Sequence, residues 1–308
     1  FIPVGTPCMM SSLTLNNQLR LQGNARYAIV GVCAGAVLNI ILDPLLIFVF
    51  DMGVAGASLA TCISQITSWF VLLLGTKRNG NVHIRLRNFT PTFHLYMEIF
   101  KGGNPSLCRH IFVCVSTIML NRYAAYYAEP GLEASAIAAF SVVSRVMMFA
   151  FSVIVGIGQG FQPVCGFNYG AKLHRRVRDS YVFTMRLATI ILIFLSAVIY
   201  IFAPDIIGFF RSEDTALIEI GSRVLRFQCL SYPLLGVVTI TNMMYQTTRR
   251  TLVASLLAMG RQGIFFIPTL MLLSHFIGFQ GVEVAQTFAD IFTFAFALPF
   301  AIKEIKSK

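Results

Sequence analysis

An all-α, polytopic membrane protein is the fold class that this sequence predicts, and two observations carry the prediction. Of its 308 residues, 56% are hydrophobic and only 12% charged, and the mean hydropathy is +0.73, far from the balance of domains that fold in water. Long apolar windows recur along the chain, each near or above the roughly 20 residues that a helix needs to cross a bilayer. The runs are continuous rather than alternating with period two, which marks them as helices and not barrel strands.

In chain order the predicted spans are 1–19, 27–50, 54–75, 107–128, 135–164, 180–203, 227–247, 251–275 and 284–302, nine in all. Phe1 already lies inside an apolar segment, with no basic lead and no initiator methionine, so the chain reads as a fragment. Residues 76–106 are the one long polar connection, separating three spans (1–75) from six (107–308). Within it Phe93, Tyr96, Met97 and Phe100 share one helical face while His94, Glu98 and Lys101 share another, which predicts a short helix on the membrane surface.

The net charge of +11 could indicate nucleic acid, but its placement says otherwise. Most bases fall in alternate connections: Arg20 and Arg26; Lys77 to Arg109, including Arg85 and Arg87; Lys172 to Arg178; Arg249 and Arg250; and Lys303, Lys306 and Lys308. The positive-inside rule makes those connections, and with them the C-terminus, cytoplasmic. Arg122, Arg211, Arg223 and Arg226 are exceptions on the opposite side, where Asp51, Asp205, Glu213 and Glu283 lie, and Glu219 with Arg223 at i,i+4 predicts a solvated helical lead-in. The seven cysteines stand singly in apolar helices and read as small packing residues. Asn88-Phe89-Thr90 matches a glycosylation sequon but falls on the cytoplasmic side.

The two parts echo each other at about 225 residues' separation, the kind of internal symmetry found in transporters. Pro7 and Asn16 return as Pro233 and Asn242; Gly53, Gly56 and Ala60 return as Gly278, Gly281 and Ala285. Both copies enter from the same membrane side, so the repeat is parallel. Three spans precede the connection and six follow it, which predicts three more upstream and a complete fold of twelve helices in two pseudo-symmetric lobes.

Asp43 stands out because it interrupts an almost unbroken apolar run, VLNIILDPLLIFVF. Asn39 is four residues before it and shares its helix face, while Pro44 cannot donate to the Ile40 carbonyl and predicts a kink. Asp43 and Thr61 each lie nine residues from Met52, about 13 Å deep at 1.5 Å per residue, so a hairpin can set them level. A carboxylate, an amide oxygen and a hydroxyl at one depth suit H⁺ or Na⁺. The alternative is that an arginine of another helix neutralises Asp43. In the second part the equivalent positions are Pro268 and Gln286, neither acidic. Arg145, Arg261 and Asp290 lie deep in their spans, and Asp290 is expected to pair with Arg145 or Arg261. Asn16, Asn17, Gln159, Gln162 and Asn242 are candidates to line a cavity; for Gln159 and Gln162 helix packing is an equal account. Gly156 with Gly160 and Gly166 with Gly170 predict close helix approach.

NNQLRLQGNARY, LNIILDPLLIF, MGVAGASLAT, SRVMMFAFSVIVGIGQGFQPVCGFNYGAK and ADIFTFAFALPFAIKEIK resemble segments of the multidrug and toxic compound extrusion (MATE) family, in its MepA-like bacterial branch. The resemblance implies a twelve-helix transporter that exports amphipathic organic cations in exchange for H⁺ or Na⁺ by alternating access. It also implies that Asn39, Asp43 and Thr61 match three cation-site positions, a fourth, an Asp on the first helix, lying outside this chain. No cofactor is expected beyond the transported ion, which Asp43, Asn39 and Thr61 would ligate if it is Na⁺. The expected setting is the cell inner (plasma) membrane, as a monomer, with no nucleic-acid partner. Two rivals stand beside this reading: a lipid-linked oligosaccharide flippase, which would use Arg145 and Arg261 to hold pyrophosphate, and a non-transporting scaffold. No His, Cys or Ser stands in a catalytic array, so an enzyme is not expected.

Overall fold

The computed structural model describes residues 2–79, 92–210 and 214–306, and these are helical almost throughout. Arg85, Arg87, the sequon at Asn88, Arg211, Glu213 and Lys308 lie outside the described residues. The chain forms two compact units, Phe1–Pro91 and Thr92–Lys308.

The first unit holds α1 (Ile2–Leu21), α2 (Ala25–Pro44) and α3 (Gly53–Asn79). Its core is Leu15, Leu19, Ala28 and Leu72, joined by Tyr27 and Trp69. The second unit holds α4 (Phe93–Tyr127), α5 (Glu133–Gly170), α6 (His174–Ile201), the short α7 (Ala203–Phe210), α8 (Thr215–Ser231), α9 (Leu234–Thr247), α10 (Thr251–Met259), α11 (Phe266–Ile277) and α12 (Phe279–Lys306). Its largest core cluster gathers Phe140, Ile154, Leu192, Leu225 and Phe266 around Tyr232, whose hydroxyl donates to the Met147 carbonyl at 2.6 Å.

Among the described residues six helices or continuous helical runs are long and apolar enough to cross a membrane: Ala25–Val49, Gly53–Lys77, Glu133–Gly170, His174–Ile201, Thr251–Ile277 and Phe279–Ile305. The pair α8 and α9, bent by 58° at Tyr232-Pro233, makes a seventh if it is one broken span. Of the nine expected spans, 1–19 and 107–128 are helical but fall outside this set. Asn16, Asn17, Gln18 and Arg20 dilute the first, and Arg109, His110, Asn121 and Arg122 the second.

The expected surface helix and the span after it are one continuous helix, α4. The helix runs through Gly102 and Gly103 without interruption. Pro44 likewise ends no helix: it leads into a widened π turn, Leu45–Val49, in which the Phe50 amide reaches the Leu45 carbonyl at 3.1 Å.

The internal repeat extends to individual bonds. Asn16 Nδ2 donates to the Ala28 carbonyl at 3.0 Å, and Asn242 Nδ2 donates to the Ala254 carbonyl at 2.6 Å, each reaching 12 residues ahead. The turn after α1 carries Gly23 at φ 80° with Asn24 N–H bonded to Leu19 O; the turn after α9 carries Arg249 at φ 60° with Arg250 N–H bonded to Tyr245 O. Both are helix C-caps closed by a left-handed residue and a six-to-one bond. Farther on, a side chain at Gly56 would strike the Leu46 carbonyl, and one at Gly281 the Leu273 carbonyl.

The small-residue faces predicted in α5 are corrected. Gly156, Gly160 and Gly170 have open space beside them. Of the four, Gly166 does admit a neighbour, Thr247, and the tightest approach is at Gly158, against Met243 and Ile240, so the packing face is only partly the one that spacing suggested.

Candidate functional site

In the first unit α2 and α3 approach closely because α2 offers glycines where they meet, Gly31 against Leu72 and Gly35 against Ser64 and Ser68. A side chain at Gly35 would lie 2.8 Å from Ser68 Cβ and 3.0 Å from the Ser64 carbonyl. One and two turns beyond, Asn39 and Asp43 are both half-buried, and Asn39 Nδ2 donates to Asp43 Oδ1 at 3.4 Å, a long bond that leaves most of the carboxylate's acceptor capacity unused. Among the described residues Asp43 has no ion pair, and Asn39 is its hydrogen-bond partner. Thr61, also half-buried, turns its hydroxyl to the Ala57 carbonyl of its own helix at 2.9 Å, leaving an oxygen that can still accept or ligate. The structure thus brings Asn39 and Asp43 together and shows no direct bond from Thr61 to either. Carboxylate, amide and hydroxyl oxygens are a donor set that fits a proton or Na⁺. Among the described residues no group of three or more His, Cys, Asp or Glu could hold a metal ion.

The second unit has a different arrangement at the corresponding level. Arg261 lies in a π turn, Gly260–Ile264, and its Nε donates to Asp290 Oδ1 at 2.9 Å. Gln286, the counterpart of Thr61, donates to the same oxygen at 2.9 Å, and Ser231 donates to Oδ2 at 3.2 Å. The Arg261 guanidinium also lies 5.2 Å from the Phe151 ring and 5.9 Å from that of Tyr232. With side chains 17% and 1% exposed, this is a buried pair with its polar valences met. Arg145 is exposed on α5 and has no ion pair among the described residues.

The other polar candidates separate. Asn16 is buried and, like Asn242, spends its amide on the carbonyl that ties its helix to the next; Gln246 in turn donates to Asn242 Oδ1 at 2.7 Å. Asn17 is exposed, and Gln159 and Gln162 are half-buried on α5.

Two further pairs escaped sequence reading. Arg223 Nε donates to Glu283 Oε1 at 2.9 Å, so its ion-pair partner among the described residues is Glu283 and not the Glu219 of the i,i+4 spacing, and Glu283 is 1% exposed within α12 rather than in a connection. Arg250 meets Glu304 at 2.8 Å, and Tyr245 OH donates to the same carboxylate oxygen at 3.0 Å. The acids of α12 were a legible signal: Glu283, Asp290 and Glu304 stand at multiples of seven, which keeps them near one helix face.

Known proteins resemble both the sequence and the fold. Multidrug export protein MepA of Staphylococcus saprophyticus is 28% identical over 290 residues, 93% of this chain and 62% of that protein. Multidrug export protein MepA of Staphylococcus aureus is 29% identical over 280 residues, 91% of this chain and 60% of that protein. The chain therefore spans about three fifths of the length of these relatives. A crystal structure of a mutant of the Vibrio cholerae MATE transporter VcmN superposes with a TM-score of 0.87 over 99% of this chain and 68% of that one, at 21% identity, a likeness of fold. The model of the MatE family matches residues 105–272, α4 to α11, which is more than half of the chain. This protein belongs to the MatE family.

Proposed function

We propose that the protein is the greater part of a secondary multidrug exporter that moves amphipathic organic cations out across the cell's inner membrane in exchange for H⁺ or Na⁺, with its C-terminus cytoplasmic. The observation that carries the coupling role is Asp43: a carboxylate on a helix apolar enough to span a membrane, held by Asn39 and without an ion pair among the described residues. An intramembrane acid without a fixed countercharge is costly unless it exchanges one. Asp43 would take up the ion on one side and release it on the other, Asn39 and Thr61 supplying neutral oxygens. Occupancy would bias the π turn beyond Pro44, so that the ion selects between two shapes of α2. The names of the MepA relatives support export of drugs, and membership of the MatE family supports transport over enzymatic chemistry.

The flippase reading needs a free cationic cavity. Arg261, one of its two candidate arginines, is neutralised by Asp290, which counts against it.

The test is Asp43→Asn in cells and in proteoliposomes carrying a fluorescent organic cation, driven separately by a pH gradient and by a Na⁺ gradient. Export should fall to background with membrane expression intact. Retained export at the wild-type rate would remove Asp43 from the mechanism.

A further inference from the structure

A cavity of about 570 Å³ opens between α6, α7 and α8, within the 300–1,000 Å³ range of small-ligand sites. The proposed export cycle makes no use of it. One wall is a single face of α8, which presents Glu219, then Ser222 and Arg223, then Arg226, then Leu230, at intervals of three or four residues. The facing wall is Tyr200 and Pro204.

The order of these groups is that of a lipid. The predicted span begins at 227, so Glu219 to Arg226 precede it at the membrane surface and Leu230 lies one turn within it. Along it the chemistry passes from carboxylate to two guanidiniums to hydrocarbon, with each turn advancing about 5.4 Å. Both arginines have donors to give. Arg223 spends Nε on Glu283, which fixes the guanidinium and leaves its terminal nitrogens without a bonded partner among the described residues. Among the described residues Arg226 is held by its face, 5.6 Å from the Tyr200 ring centre, and has no ion pair. A planar guanidinium held at its edge or face is preorganised for phosphate. At the far end of this face Leu230 is 66% exposed, an aliphatic group along which an acyl chain can run.

We propose that this cavity is a headgroup site for a zwitterionic aminophospholipid. The phosphodiester lies between Arg223 and Arg226, the ammonium reaches outward to Glu219, and an acyl chain leaves past Leu230. A purely anionic lipid would set its headgroup against Glu219 with no cation to offer. The site rests on the membrane placement of the protein and is independent of its coupling ion.

Native mass spectrometry of the delipidated, detergent-purified protein tests this, titrating phosphatidylethanolamine, phosphatidylglycerol and soluble phosphoethanolamine. Phosphatidylethanolamine should bind about tenfold more tightly than phosphatidylglycerol, and phosphoethanolamine should not compete at equal concentration. Arg226→Gln should weaken phosphatidylethanolamine binding about tenfold. Glu219→Lys should reverse the preference toward phosphatidylglycerol, a gain that a misfolded protein would not produce. Equal affinity for the two lipids, binding indifferent to Arg226→Gln, or competition by phosphoethanolamine would each overturn the proposal. The readout is binding, so it stands or falls separately from export.

Discussion

Removing Asp290 tests whether the Arg261 pair is a structural tie. In Asp290→Ala the Arg261 Nε and the Gln286 amide lose the oxygen they share, while Ser231 keeps its second acceptor, the Gln228 carbonyl at 3.1 Å. The dominant loss is then an uncompensated guanidinium in a side chain 17% exposed. Breaking a buried pair from one side costs about 3–5 kcal/mol. For a protein of this size that corresponds to a fall of roughly 5–8 °C in melting temperature. Because desolvation of both charges opposes their attraction, Arg261→Met with Asp290→Leu should recover most of the loss. Thermal unfolding of the two single variants and the double variant in one detergent completes the cycle. A single-variant cost under about 1 kcal/mol, or a double variant as unstable as the sum of the singles, would refute the argument.

The other two pairs of α12 should differ in strength. Arg223→Gln strands Glu283, 1% exposed and with Oε2 already unbonded, so its melting temperature should fall well below that of Arg250→Gln, where both ends of the pair keep some access to solvent. Asn16→Ala and Asn242→Ala remove equivalent bonds from the two repeats and should each cost about 1 kcal/mol or somewhat more, measured by the same unfolding assay.

What could be read from the sequence was what is local or periodic. Asn39 and Asp43 meet because four residues is one helical turn, and their contact needs no knowledge of another helix. The repeat was visible because Asn16, Gly53 and Gly56 do jobs that few residues can do. Asn242, Gly278 and Gly281 therefore return 225 or 226 residues on, with the same kind of bond, a positive φ and a close carbonyl. Pairings across 60 residues, such as Arg223 with Glu283, depend on which helix lies next to which, and spacing along one helix is silent about that. The same ignorance placed the α5 contact on Gly156 and Gly160, where only the neighbouring α9 could reveal Gly158.

The heptad stripe on α12 has a mechanical consequence. Its carboxylates engage α8, the π turn beyond α10 and the corner between α9 and α10, at levels about 10 and 20 Å apart along one rod. A slide of α12 by a single turn would pull all three from their arginines together. Any rearrangement of this unit must therefore carry α8, α10 and α12 as a welded block, and leave bending to segments that no such rivet crosses.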